Sequence, residues 1–312
     1  MRSFAVSLLH EPPFPADRHP DTDRVAGESL AWARRLGLVD GAQREHRLRR
    51  AEAAELAGRA CPDGPAEWLR LLTDLIGWLF VVDDACDDDG LGESPVRLGP
   101  TVAGLLDVLD RHGVPGGPPP YGALAAGLDD ICRRVRASGC PALLLRFVSQ
   151  VREYLLALLW EAGYRDRRRI PTVTEYVQLR RLTGGIRPSL TLTDLALGGL
   201  PAAGRRVEPA VVTLDVLAAD LVCWCNDIFS YRKEHRAGAD PLNLVTSLAR
   251  ESGGDEAAAL RAAADRFNAA LADFVAGDAA LTGAEASDPF LVARRNWIRG
   301  TYDWSLRAAR YA

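Results

Sequence analysis

The chain has 312 residues, 48% hydrophobic, with a formal net charge of −4, which is enough apolar matter for one large core and excludes the basic footprint that tracks a nucleic-acid backbone. Its six cysteines, Cys61, Cys86, Cys132, Cys140, Cys223 and Cys225, lie in apolar stretches without the spacing of a disulfide scaffold or a zinc site, and read as buried thiols in a reducing cytoplasm. The apolar run from Phe4 to Leu9 is too short for a signal-peptide core, and no segment approaches the roughly 20 apolar residues that span a bilayer, so no membrane insertion is expected.

Strand signals are sparse, while Ala, Leu, Arg and Glu recur at three- and four-residue spacings, so the fold class is all-α and the whole chain, 1–312, reads as one domain. The opening Pro12-Pro13-Phe14-Pro15 cannot be a helix interior and places an extended arm over 1–20. Helical patterns follow over about 22–36, 42–58, 65–84, 98–112, 121–137, 141–164, 173–197, 207–235, 240–251, 254–276 and 286–309. The Pro/Gly stretch from Val114 to Pro120 reads as a loop between helices, and the Arg165 to Arg169 cluster as a solvated helix end.

The helix that begins near Trp68 runs apolar through Leu72, Ile76, Leu79 and Phe80 and then delivers Asp83-Asp84-Ala85-Cys86-Asp87-Asp88-Asp89. Asp83 and Asp87, four apart, share one face above that apolar stripe. Like charges at this spacing repel, and carboxylates at a helix C-terminus oppose its dipole. A hard divalent cation reverses the sign of that cost. A second oxygen-bearing stripe lies at Asn226, Ser230 and Glu234, at i, i+4 and i+8, above Ala218, Ala219, Val222 and Cys223. An amide, a hydroxyl and a carboxylate suit magnesium. Taken singly, the first segment could be a solvated acidic loop and the second a wet helix face; two such rims on two apolar helices are harder to dismiss.

Between the two, Gly184-Gly185 weakens a helix, and Pro188 lacks the amide proton that would bond the carbonyl of Gly184, so that carbonyl is expected to be free. Arg180 and Arg181 precede the break. Phe80, Tyr154 and Trp304 are the aromatics expected, by position relative to the two motifs, to face the site; Trp160, Trp224, Phe229 and Trp297 are expected elsewhere.

The pattern D-D-x-x-D at Asp83, Asp84 and Asp87, followed by N-D-x-x-S-x-x-x-E at Asn226, Ser230 and Glu234, resembles the bacterial class I terpene cyclases. The resemblance extends from Pro13–Pro15 through Asn243-Leu244-Val245 to Arg310-Tyr311. It implies a helical bundle around a central apolar cavity, three Mg2+ held by the two motifs, and a prenyl diphosphate substrate. It further implies that Arg180, Lys233, Arg310 and Tyr311 grasp the diphosphate, with Arg181 the competing candidate for the sensor arginine. Gly184 would present its carbonyl to the substrate, and Thr183 stands where relatives often carry an aspartate. Farnesyl diphosphate is the first choice of substrate and geranylgeranyl diphosphate the second; a homodimer is left open. A chain-elongating prenyltransferase fits less well, because the second aspartate-rich motif of that family is replaced here by the Asn/Ser/Glu stripe. A class II cyclase would need D-x-D-D, which the aspartate cluster lacks. A noncatalytic helical protein that binds cations through its acidic patch has no need of matched rims.

Overall fold

The computed structural model describes residues 8–116, 120–198, 204–235, 242–282 and 288–311. Among them every regular element is helical. In chain order these are α1 (Thr22–Arg35), α2 (Ala42–Ala51), α3 (Ala53–Ala60), α4 (Ala66–Asp87), α5 (Pro95–Asp110), α6 (Ala123–Ala137), α7 (Pro141–Asp166), α8 (Val173–Thr183), α9 (Ile186–Ala196), α10 (Pro209–His235), α11 (Leu244–Glu251), α12 (Glu256–Thr282) and α13 (Pro289–Arg307), with short 3-10 turns at Leu91–Glu93, Arg205–Val207 and Ala309–Tyr311. The expected all-α class holds. Parts of the expected arm (1–7), of the loop (117–119) and of two helix starts (240–241, 286–287) lie outside the described residues.

One continuous apolar core runs from Leu9 to Ala308, with Trp32, Trp78, Trp297 and Trp304 among its largest buried side chains. The long helices α4, α7, α10 and α13 contribute most of its wall. α4 packs on α1, α3, α6 and α9; α10 packs on α12 and α13. The described part of the arm is strapped down by Phe14 against Phe274, ring centroids 5.8 Å apart, and by Arg299, which donates to the carbonyl of Pro12 at 2.9 Å. The cysteines are free thiols, all but Cys140 fully buried. No helix among the described residues is long and apolar enough to cross a membrane.

Two local outcomes position the site. The span 42–58, expected as one helix, is broken at Glu52, whose φ of 49° is left-handed, so α2 and α3 diverge. The halves have different demands. α3 is buried along nearly its whole length against α1, α4 and α13, whereas α2 (AQREHRLRRA) is polar and is turned outward over the end of α4. The helix expected over 173–197 does break where Gly184-Gly185 predicted. Gly184 ends α8, Gly185 adopts φ +65°, and a Cβ there would meet Leu79 Cδ1 at 2.8 Å. Only glycine allows both that backbone and so close an approach to α4.

Candidate active site

The acidic motif is helical to its third aspartate: α4 ends at Asp87, so Asp83 and Asp87 share a face. It is no solvated loop. Asp84 is buried, and arginines from three elements converge on the cluster. Arg310 of the terminal turn donates to Asp83 at 2.5 Å and to Asp84 at 3.0 Å. Arg47 of α2 lies 3.3 Å from Asp88 and 3.0 Å from Asp89, and Arg44 donates to Asp89 at 2.8 Å. From α7, Arg165 reaches Asp87 at 2.5 Å and Glu161 at 2.7 Å; the expectation that this arginine merely caps a solvated end is therefore corrected. Even so, burial pushes the proton affinity of Asp84 above the usual carboxylate range, with Arg310 opposing. The same holds for Asp87, where burial leads and the like charge of Asp83 adds to it, although 44% of the side chain remains exposed.

The second rim is carried by α10. Asn226 is gripped from both sides: its Oδ1 accepts from Arg180 Nη2 at 2.8 Å, and its Nδ2 donates to the Tyr311 hydroxyl at 2.5 Å. Ser230 donates to the carbonyl of Asp227 at 3.4 Å. Glu234 accepts from Asn243 Nδ2 at 3.0 Å, while burial raises its proton affinity against the hydrogen bonds from Ser230 and Asn243. Asn243 also caps α11 through Val245 N and donates to the carbonyl of Asp227 at 3.0 Å, so the start of α11 is tied to the triad.

The terminal turn joins the rims. Its Arg310 holds the α4 aspartates and its Tyr311 holds Asn226, which brings together Asp83, Asp84, Asn226, Arg180, Arg310 and Tyr311. Between them Phe80 stacks on Trp304 at 5.9 Å and 20°, Tyr311 meets Trp304 edge-on at 5.4 Å, and the Arg310 guanidinium lies 4.8 Å over Phe80. That aromatic face already accommodates a positive charge. Tyr154 is buried and packs against Trp78 at 6.4 Å rather than against this stack. Lys233 is exposed on α10. Of the four other aromatics, Trp224 and Phe229 are buried, Trp160 is 41% exposed, and Trp297 donates to Thr193 Oγ1 at 2.9 Å.

Arg180 and Arg181 part company. Arg180 sits at the triad, while both Nε and Nη2 of Arg181 are taken by Asp220 at 2.7 Å. Among the described residues no donor bonds the Gly184 carbonyl, as Pro188 dictates. A cleft of about 900 Å³ opens away from both motifs, lined by Arg146, Glu153, Trp160, Arg187, Arg206 and Val212; of the sensor candidates only Arg181 lines it.

The donor chemistry fits magnesium: six hard oxygen-bearing side chains on two rims, with desolvated carboxylates and guanidinium groups standing where cations are favoured. Among the described residues no three acidic, histidine or cysteine side chains are placed so as to hold a metal ion by themselves. Open rims suit an ion that takes one or two carboxylates and completes its shell with phosphate oxygens.

A family model described as terpene synthase family 2, C-terminal metal binding, matches residues 74–273, a span that holds both motifs. The 4-epi-cubebol synthase of Streptosporangium roseum, named as cyclizing (2E,6E)-farnesyl diphosphate, is 32% identical over 302 residues, 96% of this chain and 90% of the relative. The chain belongs to the bacterial class I terpene cyclases. The (+)-T-muurolol synthase of Roseiflexus castenholzii, with the same substrate in its name, is 34% identical to this cyclase over 311 residues, 96% of this chain and 92% of the relative. A cucumene synthase variant superposes with a TM-score of 0.83 at 27% identity, covering 97% of the cyclase and all of that chain.

Sequence reasoning on this cyclase missed Arg47, Arg165, Asp227, Asn243 and Tyr176, whose hydroxyl donates to Asp227 Oδ2 at 2.8 Å, as parts of the site. Asp227 and Asn243 stood inside quoted motifs and could have been flagged there. Arg47 and Tyr176 carried no signal.

Proposed function

We propose that the chain is a magnesium-dependent carbon–oxygen lyase that ionises (2E,6E)-farnesyl diphosphate and cyclises the resulting cation to a sesquiterpene. It would act as one catalytic domain in the cytoplasm, where its unpaired cysteines stay reduced. The observation that supports this reading above all is the terminal turn, which links the acidic motif and the triad through Arg310 and Tyr311. Two named relatives cyclise this substrate.

Magnesium, three ions by the family resemblance, would be held by Asp83, Asp84 and Asp87 on one rim and by Asn226, Ser230 and Glu234 on the other, and supplies neutralisation of the departing diphosphate. Arg180, Arg310, Tyr311 and Lys233 then meet the diphosphate oxygens, their donors aimed where charge grows as the carbon–oxygen bond breaks. The Gly184 carbonyl, left without a helix partner, turns its negative end to the carbon that becomes positive. Phe80 and Trp304 offer π faces without a nucleophilic oxygen, with Tyr154, packed apart on Trp78, the third aromatic proposed, so the cation survives long enough to fold on itself. Closure of the terminal turn excludes water, and the released diphosphate is a competent proton acceptor.

Incubating the purified protein and magnesium with the C10, C15 and C20 diphosphates, followed by mass spectrometry of the extract, tests the reading. A C15 hydrocarbon or alcohol with stoichiometric diphosphate release is expected, abolished by Asn226→Leu while helicity is retained. A C20 product alone moves the assignment to geranylgeranyl diphosphate. Turnover of none of the three rejects it.

A further inference from the structure

We infer that Tyr176 and Asp227 form a buried mount that keeps Arg180 available to the substrate; the inference rests on the function proposed above. Asp227 stands one residue off the stripe of Asn226, Ser230 and Glu234 and is only 2% exposed. Its Oδ1 accepts from Arg180 Nε at 2.9 Å, and its Oδ2 accepts from the Tyr176 hydroxyl at 2.8 Å. With each carboxylate oxygen bonded to a protein side chain, Asp227 acts as a holder rather than a metal ligand.

The neighbouring arginine shows what the mount prevents. Arg181 lies one residue further along α8 and meets Asp220, a single acid with both oxygens open to it. The result is a closed pair in which Nε and Nη2 are both consumed at 2.7 Å. Guanidinium and carboxylate match well in this two-point geometry and frequently adopt it where both oxygens are accessible. At Asp227 the second oxygen is already taken by Tyr176. Arg180 is therefore held by Nε alone, and its Nη2 extends to Asn226 Oδ1 at 2.8 Å, where an incoming diphosphate can claim it. Held at one nitrogen, the fork keeps its plane while its terminal N–H groups exchange partners. Tyr176 touches neither motif ligand nor reacting atoms; it is a positioning residue acting through Asp227 and Arg180.

Tyr176→Phe keeps the buried ring and removes only the hydroxyl. Asp227 Oδ2 then becomes free, and Arg180 falls into the closed geometry seen at Arg181. Expected are a roughly tenfold fall in kcat with farnesyl diphosphate and a similar loss of affinity for inorganic diphosphate with magnesium by calorimetry, the scale of one charge-assisted hydrogen bond. Binding of manganese alone is expected to stay at the wild-type level. Because Tyr176 acts through Arg180, the double variant Tyr176→Phe/Arg180→Lys should be no worse than Arg180→Lys by itself. Multiplicative losses in the double variant, or wild-type diphosphate affinity in Tyr176→Phe, overturn the inference while leaving the proposed function standing. A wild-type protein that neither turns over farnesyl diphosphate nor binds inorganic diphosphate with magnesium overturns both.

Discussion

Arg165 uses one terminal nitrogen for two acids, Asp87 at 2.5 Å and Glu161 at 2.7 Å, so a guanidinium stands where the last aspartate of the motif would meet a metal ion. A cation that must be displaced is a competitor. Arg165→Gln should accordingly tighten the binding of manganese alone by roughly tenfold, the scale of one pKa unit of interaction, as read by titration calorimetry. Unchanged affinity would mean that Asp87 takes no part in holding the ion. This role could not be read beforehand, because the partners are 78 residues apart and an arginine after a long helix most often faces water. The motif ligands, by contrast, were legible, since their spacing fixes a shared helix face whatever the tertiary structure. The resemblance points to Arg180 with Arg181 its competitor; what separates them in the structure is the acid each finds across the fold, Asp227 and Asp220 respectively.

At the scale of elements, breaks were legible where the chain itself forbids a helix and illegible where packing imposes the change. The Gly184-Gly185-Pro188 break belongs to the first kind. The reversal at Glu52 belongs to the second: its neighbours are strong helix formers, and only the contrast between the buried α3 and the polar α2 separates them. Gly185→Ala tests the glycine break, since φ +65° and Leu79 at 2.8 Å both oppose a side chain. A loss of about 1–3 kcal/mol is expected, from left-handed strain and from displacement of Leu79, measured as a lower urea midpoint with an unchanged slope. A stability equal to wild type would show that the α8–α9 junction is free to refold as a continuous helix. Helix ends were otherwise legible to within a few residues, except that α12 continues to Thr282, six residues past the expected end; α4 runs on to Asp87 because Asp88 and Asp89 both donate to the carbonyl of Asp84 and close its last turn.

For the whole molecule, the carboxylates fall into two opposed sets. Surface acids clasped by arginines, such as Glu45 held at about 2 by Arg34 and Arg49, contribute stability that is present above the ordinary carboxylate range and lost only as pH falls toward that value. Asp84, Asp87 and Glu234 are raised, burial first in each case, so the fold binds their protons more firmly than the unfolded chain does. Their contribution is complete below the ordinary carboxylate range and is lost as pH rises through the raised values. Divalent ions need these groups ionised. The upward shift in melting temperature produced by excess magnesium alone should therefore grow as pH rises across that same window, as scanning calorimetry at several pH values will show; a shift independent of pH contradicts the assignment of these acids as ligands. The two-sided grip on Asn226 gives this end of the molecule one further property. An amide offers lone pairs on one flank and hydrogens on the other, so a single side chain rivets the sensor arginine to the terminal turn. A leucine there would keep neither join, and the movements of Arg180 and Tyr311, coupled through this one residue in the native chain, would become independent.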